Sequence, residues 1–273
     1  MSRRPALVLA ALAAATALVL TGCSSQGAED ADGADAAAGN DYGLITDGVL
    51  TVATEGTYRP FSYHEGGSGP LVGYDVEVVQ AVAEKLDLRV EFKETQWDAI
   101  FAGLDADRFD VIANQVSVNP EREEKYLFST PYSISPGVIV VPEDTTDITS
   151  FKDLDGKTTA QSLTSNWREL AEQNGAKVEG VEGWAQAVAL LRQGRVDATI
   201  NDKLTFLDYE TTDGPTGLKI AAETDEAGRS AFAFTKDKQD LVEAFDDALA
   251  ELQEDGTLAK LGEKYFGADV SVE

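Results

Sequence analysis

Two strand-like runs end in polar residues that could bind a small charged molecule. The run "FDVIANQ" ends in Asn114 and Gln115, and the run "VDATIND" ends in Asn201 and Asp202. The Asp202 carboxylate can accept a cationic group, while Arg122, shortly after the first run, carries a guanidinium that can bind an anionic one. These residues therefore suit the binding of opposite charges, provided that the fold brings the two strand ends together.

The segment "NPEREEKY", which contains Arg122, predicts a short helix. Pro120 suits the first helical position, and Asn119 suits the cap that precedes it. An arginine beside a helix N-terminus can hold a carboxylate with two hydrogen bonds. The alternative is a surface ion pair with one of the neighbouring glutamates, Glu121, Glu123 or Glu124. The local sequence leaves both interpretations open.

The composition excludes several classes of function. The formal net charge is −27 at pH 7, and there is no basic stripe, so the chain would repel nucleic acids and anionic membrane surfaces. It has one histidine, His64 in a glycine-rich turn, and one cysteine, Cys23. Neither a zinc site nor a catalytic triad has its components in such a sequence. We expect no metal and no cofactor.

The N-terminal residues are typical of a targeting segment. Arg3 and Arg4 precede an apolar run that is short for a membrane span, and "LTGC" follows. "LTGC" resembles the lipobox of bacterial lipoproteins, so we expect residues 1–22 to be a removed signal and Cys23 to carry the lipid. The alternative is an ordinary signal with an incidental cysteine. Residues 23–47 are small and acidic, which predicts a flexible tether.

A helix–turn–strand unit occurs twice. "WDAIFAGLDAD" followed by "RFDVIANQ" resembles "WAQAVALLRQG" followed by "RVDATIND". At one constant offset the following pairs are identical: Trp97 and Trp184, Ala102 and Ala189, Leu104 and Leu191, Arg108 and Arg195, Asp110 and Asp197, Asn114 and Asn201. The two copies differ in the residue that follows the last pair.

Strand-like and helix-like runs alternate beyond the tether, which predicts an α/β fold of parallel sheets covered by helices. The length and the repeat predict two lobes. Lobe 1 would comprise residues 48–136 plus 234–270, and lobe 2 residues 137–233. Two apolar, strand-like segments, 136–141 and 230–235, would form the hinge crossings between the lobes.

Facing lobes would share a cleft, because ligands of open α/β sheets bind beyond the carboxyl ends of the strands. Gln115, Ser117 and Arg122 would lie on one side, and Asp202 on the other. A carboxylate clamp opposite an ammonium acceptor describes a receptor for a free α-amino acid.

Aromatic residues near the same strand ends could form the walls of such a cleft. "EGTYRPFSY" places Glu55, Tyr58 and Phe61 after the first strand, and Trp97 opens the repeated helix. Small-molecule sites are commonly built from aromatic walls around a few polar groups. Packing in a core is the alternative for each aromatic residue, and for Trp184 it is the favoured interpretation.

Four segments together resemble the extracellular solute-binding proteins of polar amino-acid ABC transporters, family 3. They are "VATEGTYRPFSY", "LVGYDVEVVQAVAEKL", "TQWDAIFAGLDADRFDVIANQVSVNPEREEKYLFSTPY" and "DGTLAKLGEKYFG". The resemblance covers about residues 48 to 269. "QSLTSNW" and "TINDKL" are most similar to the cystine-binding branch. The resemblance implies a type II periplasmic-binding-protein-like fold in which two lobes close on the ligand.

The resemblance also implies roles for single residues. Arg122 matches the arginine that grips the α-carboxylate, with Ser117 beside it, while Asp202 matches the acid that receives the α-ammonium, with the Gln115 backbone carbonyl. Ser165 and Asn166 match a lobe 2 turn whose backbone N–H groups help to hold the carboxylate, although many relatives have glycine there. The matches to the side-chain pocket are Glu55, Tyr58, Phe61 and Trp97. Glu55 stands where aspartate is common.

The expected function is therefore that of a lipid-anchored, monomeric binding protein outside the cell membrane, which delivers an amino acid to an ABC permease. Cystine is favoured, and glutamine or glutamate is the alternative ligand. A different class remains open, since some relatives resemble dehydratases of prephenate-like substrates, and Glu55 could act as their acid or base. A sensing domain of a receptor is a third possibility, but the sequence contains no signalling domain.

Overall fold

The computed structural model describes residues 42–272, and the expected signal, Cys23 and most of the tether lie outside them. The strands of this part are β1 (Val49–Thr54), β2 (Thr57–Tyr58), β3 (Ser62–His64), β4 (Leu71–Val72), β5 (Arg89–Glu94), β6 (Val111–Ser117), β7 (Leu127–Phe128), β8 (Ser133–Pro142), β9 (Thr158–Gln161), β10 (Lys177–Gly180), β11 (Ala198–Asp202) and β12 (Leu218–Phe234). The α-helices are α1 (Tyr74–Lys85), α2 (Trp97–Leu104), α3 (Pro120–Lys125), α4 (Asn166–Gln173), α5 (Trp184–Arg192), α6 (Lys203–Asp213), α7 (Gln239–Glu254) and α8 (Thr257–Phe266).

The main sheet is two similar half-sheets joined side by side, in the order β10-β9-β11-β8-β12-β6-β1-β5. In lobe 1, β1 lies parallel to β5 and β6, and β6 is antiparallel to β12. In lobe 2, β9 lies parallel to β10 and β11, and β11 is antiparallel to β8. The mixed α/β architecture is that of the type II periplasmic-binding-protein-like fold, as predicted.

Strands β8 and β12 run antiparallel to each other and carry the chain between the lobes. Their pairing extends from Leu218 opposite Pro142 to Ser230 opposite Ser133, with an irregularity before Ala227. Ala231 already pairs with β6 of lobe 1. We therefore place the crossings at 133–136 and 227–230, a few residues before the two predicted segments, 136–141 and 230–235.

Each lobe has its own hydrophobic core. In lobe 1, helices α1, α7 and α8 pack on one face of the sheet, where Tyr74, Phe232 and Phe245 are fully buried. In lobe 2, α5 packs over β8 and β9 and buries Val188 and Leu191. Leu204 of α6 is the lobe 2 side chain that joins the lobe 1 core, and the other buried apolar residues of lobe 2 pack among themselves.

Residues 42–47, which the composition assigned to the tether, lie against lobe 1 instead. The backbone N–H of Ile45 donates to Asp110 Oδ1 at 2.9 Å, and Lys238 Nζ donates to the Gly43 carbonyl. Tyr42 and Leu44 pack against the lobe 1 core. The predicted tether is therefore corrected at its C-terminal end, because these apolar and hydrogen-bonding groups find partners on lobe 1.

A small antiparallel sheet of β2, β3 and β4 was not predicted. It follows β1 and places Tyr58 at the edge of lobe 1. His64 ends β3, where its ring nitrogens contact the Gly69 carbonyl and a Glu94 carboxylate oxygen. From residue 42 to residue 272, no helix has the length and apolarity that a bilayer crossing requires.

Candidate ligand-binding cleft

A cavity of about 370 Å³ lies between the two lobes. The lobe 1 residues that line it come from the residue after β1, from β2, from the start of α2 and from the C-terminal half of β6: Glu55, Thr57, Tyr58, Gln96, Trp97, Asn114 and Gln115. The lobe 2 side chains that face them include Gln161, Ser162, Ser165, Asn166, Trp167, Glu182, Trp184, Gln186 and Asn201. The cavity thus lies at the carboxyl ends of strands from both lobes.

Direct contacts join the lobes on both sides of this cavity. Tyr58 Oη donates to Asn201 Oδ1 at 2.8 Å. The Asp98 carboxylate, at the start of α2, accepts hydrogen bonds from Thr164 N at 3.0 Å and Thr164 Oγ1 at 2.8 Å. A third contact is the ion pair of Arg59 with Asp208 at 2.9 Å. These contacts hold lobe 1 and lobe 2 in a closed arrangement.

Arg122 is buried behind the lobe 1 wall of the cavity. Asn119 caps helix α3 by accepting a hydrogen bond from the Arg122 backbone N–H. The Arg122 side chain donates from Nη1 to the Ser117 carbonyl at 2.9 Å. The guanidinium lies over the rings of Trp97 and Phe101, at 5.3 and 5.4 Å from their centroids. Arg122 is only 9% exposed, so the surface ion pair is excluded.

No carboxylate of residues 42–272 lies within ion-pair distance of this guanidinium. Burial lowers the pKa of Arg122 to about 10, which leaves the side chain charged at neutral pH. The guanidinium donates a hydrogen bond to the Ser117 carbonyl, and the charges of Glu169 and Glu121 act on it from beyond ion-pair distance. A buried cation that makes no direct ion pair has capacity left to bind an anion. Arg122 does not line the cavity, but Trp97, which it contacts, does.

Asp202 in lobe 2 occupies the repeat position of Gln115 in lobe 1. It ends β11 and caps α6 by accepting a hydrogen bond from Leu204 N at 2.8 Å, and Ser135 Oγ of β8 donates to the same oxygen at 2.7 Å. Burial raises its pKa to about 6. Within the described part of the chain it has no ion-pair partner. Its neighbour Asn201 lines the cavity, although Asp202 itself does not.

Glu55 is a second acid of the cleft. Asn114 Nδ2 donates to Glu55 Oε2 at 2.7 Å, and Asn114 Oδ1 accepts from the Glu55 backbone N–H at 2.8 Å. Burial, together with the nearby charges of Asp98 and Glu182, raises the pKa of Glu55 to about 7. A cationic group would relieve the repulsion among these acids.

Four buried polar atoms of cavity-lining residues have no hydrogen-bond partner in the described chain. They are Trp97 Nε1, Trp184 Nε1, Gln161 Nε2 and Gln115 Oε1. Buried polar groups are normally paired, because leaving one unpaired costs about 1–3 kcal/mol. These three donors and one acceptor therefore lie in the walls of the cleft, buried and without partners.

The structure brings most of the predicted site residues to this cleft. Those that line the cavity are Glu55, Tyr58, Trp97, Gln115, Ser165 and Asn166. Ser117, Arg122 and Asp202 lie behind the lining. Phe61 is a correction: its ring is fully buried between Tyr58 and Phe266 in the lobe 1 core, at centroid distances of 5.0 and 5.8 Å.

Several lining residues were not predicted, and Trp184 is the clearest example. It was assigned to a core, but it lines the cavity opposite lobe 1. Its identity with Trp97 at the repeat offset could have identified it. Gln161 and Trp167 belong to "QSLTSNW", whose resemblance to the cystine-binding branch could have identified them, whereas Glu182 carried no signal. No group of three or more His, Cys, Asp or Glu side chains among residues 42–272 could hold a metal ion.

The chain belongs to the bacterial extracellular solute-binding proteins, family 3, whose family model matches residues 50–268. It is 55% identical over 224 residues to the L-cystine-binding protein TcyA of Bacillus subtilis, a match that covers 82% of this chain and 83% of that protein.

Two solved structures place the fold in the same family. The L-cystine solute receptor of Neisseria gonorrhoeae, unliganded and open, shares 50% identity with a TM-score of 0.57, over 82% of this chain and 95% of that one. An ancestral arginine-binding protein bound to glutamine shares 34% identity with a TM-score of 0.76, over 81% and 99%. The less identical but liganded structure is closer in shape, as expected if the lobes of this chain are closed.

Proposed function

We propose that this protein captures free L-cystine outside the cell membrane and delivers it to the permease of an ABC importer. The observation that carries the proposal is the buried Arg122 guanidinium, which has no carboxylate partner among residues 42–272 and lies against a wall of the cleft. A ligand α-carboxylate would provide the missing charge. Two cystine-binding relatives of at least 50% identity support the choice of ligand.

The opposite charge of the ligand would be met from lobe 2. The Asp202 carboxylate, which has no ion-pair partner in the described part of the chain, would receive the α-ammonium group. Charge-assisted hydrogen bonds contribute roughly 1.5–3 kcal/mol each. Several of them, after the costs of association, are consistent with micromolar binding, about −8.2 kcal/mol.

Closure of the lobes would complete the site and give the permease a shape to recognise. Lobe 1 would bind the ligand first through Arg122 and the aromatic wall. The turn of Thr164 and Ser165 would then dock on Asp98, as it does in the closed arrangement. The protein would act as a monomer, held to the membrane by lipid on Cys23, and no reaction would occur on the ligand.

A thermal-shift panel of free amino acids on the purified protein tests the proposal. A ligand at 100 times its Kd stabilises the folded state by about 2.7 kcal/mol, so L-cystine should give the largest rise in Tm. Glutamine, glutamate and arginine serve as comparisons. An equal or absent response to every amino acid would contradict the proposal, and turnover of a cyclohexadienyl acid would favour the enzyme instead.

A further inference from the structure

Strand β8 carries a glycine at the point where it enters lobe 2. Gly137 directly follows the crossing at 133–136, and it is buried in the middle of the main sheet. It lies opposite Asp202 of β11, and its backbone N–H donates to Thr224 Oγ1 of β12 at 3.0 Å. A glycine inside a strand often marks a place where another group approaches the backbone closely.

The group that approaches Gly137 is the indole ring of Trp167. A Cβ atom on Gly137 would lie 2.5 Å from Trp167 Cζ3 and 2.9 Å from Cη2, with Thr224 Cγ2 next at 3.2 Å. Carbon atoms in contact are about 3.5–4.0 Å apart, so the ring occupies the space that any side chain at position 137 would need. The φ of Gly137 lies outside the left-handed region, so the ring, and not the backbone conformation, requires glycine here.

Trp167 joins this recess above Gly137 to the ligand-binding cleft. It is the second residue of α4, and it lines the cavity, whereas Gly137 does not. Trp167 also packs against the lobe 2 core cluster that contains Ile139 and Ile200. Strand β8 is paired on both sides, with β11 and β12, which fixes the backbone of Gly137. A ring displaced from the recess would therefore move toward the cavity.

We infer that Gly137 is a positioning residue for Trp167, and that the recess it leaves in β8 sets the length of ligand that the cleft accepts. The inference rests on the proposed function and adds a basis for ligand size to it. L-Cystine consists of two amino acids joined by a disulfide, so its second half extends beyond the groups that bind the first. A side chain at position 137 would bring the indole into this space and favour a short amino acid.

The first test compares L-cystine with S-methyl-L-cysteine by calorimetry on the full-length protein. The second ligand has the same α-carboxylate and α-ammonium groups but lacks the second half. Gly137→Ala should weaken L-cystine binding about 10-fold or more and S-methyl-L-cysteine binding less than about 3-fold, because the added methyl group overpacks only the deep part of the cleft.

Trp167→Phe tests whether the indole transmits the effect, because phenylalanine lacks Cζ3 and Cη2. The double variant of Gly137→Ala and Trp167→Phe should bind L-cystine as tightly as Trp167→Phe alone, since the clash is absent from both. Trp167→Phe alone lets the remaining ring lie deeper in the recess. It should therefore raise the affinity for the longer L-homocystine relative to L-cystine.

Gly103→Ala is the matched control. A Cβ atom on Gly103 would lie 2.6 Å from Cζ of Phe109, a ring that is buried in lobe 1 and does not line the cavity. This variant should lower the Tm and leave the ratio of the L-cystine and S-methyl-L-cysteine affinities unchanged.

Three results would overturn the inference. They are wild-type affinity for L-cystine in Gly137→Ala, an equal loss for both ligands in that variant, and a double variant that binds more weakly than Trp167→Phe by the full effect of Gly137→Ala. The last result would assign the loss to strand β8 itself. A wild-type protein that does not bind L-cystine would overturn the proposed function before any variant is compared.

Discussion

The two repeated units use the same residues for the same structural task and then diverge at the strand tip. In lobe 1, the Asp110 backbone N–H donates to the Thr51 carbonyl at 2.9 Å, and its Oδ2 accepts from the Thr51 N–H at 2.9 Å. In lobe 2, Asp197 makes the same two contacts with Thr158, each at 2.8 Å. The repeated aspartate therefore fixes one strand against the next in both lobes.

The residues at the tips have different conformations and different chemistry. Gln115 is left-handed and bound to Asp75, whereas Asp202 is extended, with φ −63°, and caps α6. Repeat mates Asn114 and Asn201 both line the cavity, but the first organises its own lobe and the second reaches across to Tyr58. The helix–turn–strand unit is duplicated up to its asparagine, and the two copies differ in chemistry at the next residue, Gln115 or Asp202.

The largest loss of L-cystine affinity should come from removing the Arg122 guanidinium, a charge that has no counterpart in the lobe 2 copy of the repeat. Arg122→Ala removes the buried guanidinium that would bind the ligand α-carboxylate, so we expect L-cystine affinity to fall about 100-fold or more by calorimetry. Arg108→Ala, an exposed arginine of the repeat, should leave it within a factor of two. Retained micromolar affinity in Arg122→Ala would mean that the carboxylate is bound elsewhere.

Asp202→Asn should have the next largest effect, about 10- to 30-fold in affinity, with a changed pH dependence. Asparagine can still cap α6 and accept from Ser135, but it cannot neutralise an ammonium group. Because the pKa of Asp202 is about 6, wild-type affinity should be full above pH 6 and fall below it as the carboxylate is protonated. The difference between the affinity–pH profiles of the wild type and Asp202→Asn isolates the protonation of Asp202 from that of Glu55, which both proteins retain.

The ligand-free protein should show the opposite trend with pH. Burial raises the pKa of Asp202 in the folded state above its unfolded value, so its contribution to stability is present below pH 4 and is lost as pH rises through 6. The Tm of Asp202→Asn should therefore fall less between pH 4 and pH 7 than the Tm of the wild type. Parallel curves of Tm against pH for the two proteins would contradict this, because they would mean that Asp202 is equally solvated in the folded and unfolded states.

The two tryptophans test whether the repeat also supplies binding groups. Trp97→Phe and Trp184→Phe keep an aromatic wall but remove an indole N–H that has no partner in the described chain. A neutral hydrogen bond contributes about 0.5–1.5 kcal/mol, so each variant should lose about 3- to 10-fold in affinity. If only Trp97→Phe loses affinity, the lobe 2 indole is structural, as the sequence first suggested.

The repeat, the alternation of strands and helices, and the charges of Arg122 and Asp202 could be read from the sequence because they depend on local pattern. The burial of Phe61 could not be predicted from the sequence, because its ring packs against Phe266, which lies far along the chain. The hold of Asp75 on Gln115 was missed for the same reason, since it joins a helix to a strand. Periodicity predicts which elements form, but it does not show which side chains meet.

The smallest effect should come from the contacts that close the lobes over the ligand. Asp98 of lobe 1 accepts from the Leu163 and Thr164 backbone N–H groups and from Thr164 Oγ1, all near the surface. Asp98→Ala should therefore weaken L-cystine binding only about 2- to 5-fold. Small-angle scattering should show a larger radius of gyration for the ligand-free variant, which becomes compact when L-cystine is added. Asp105→Ala, on the far end of α2, is the control. Unchanged scattering in Asp98→Ala would assign closure to Tyr58 and Asn201, and so to the repeated asparagine itself.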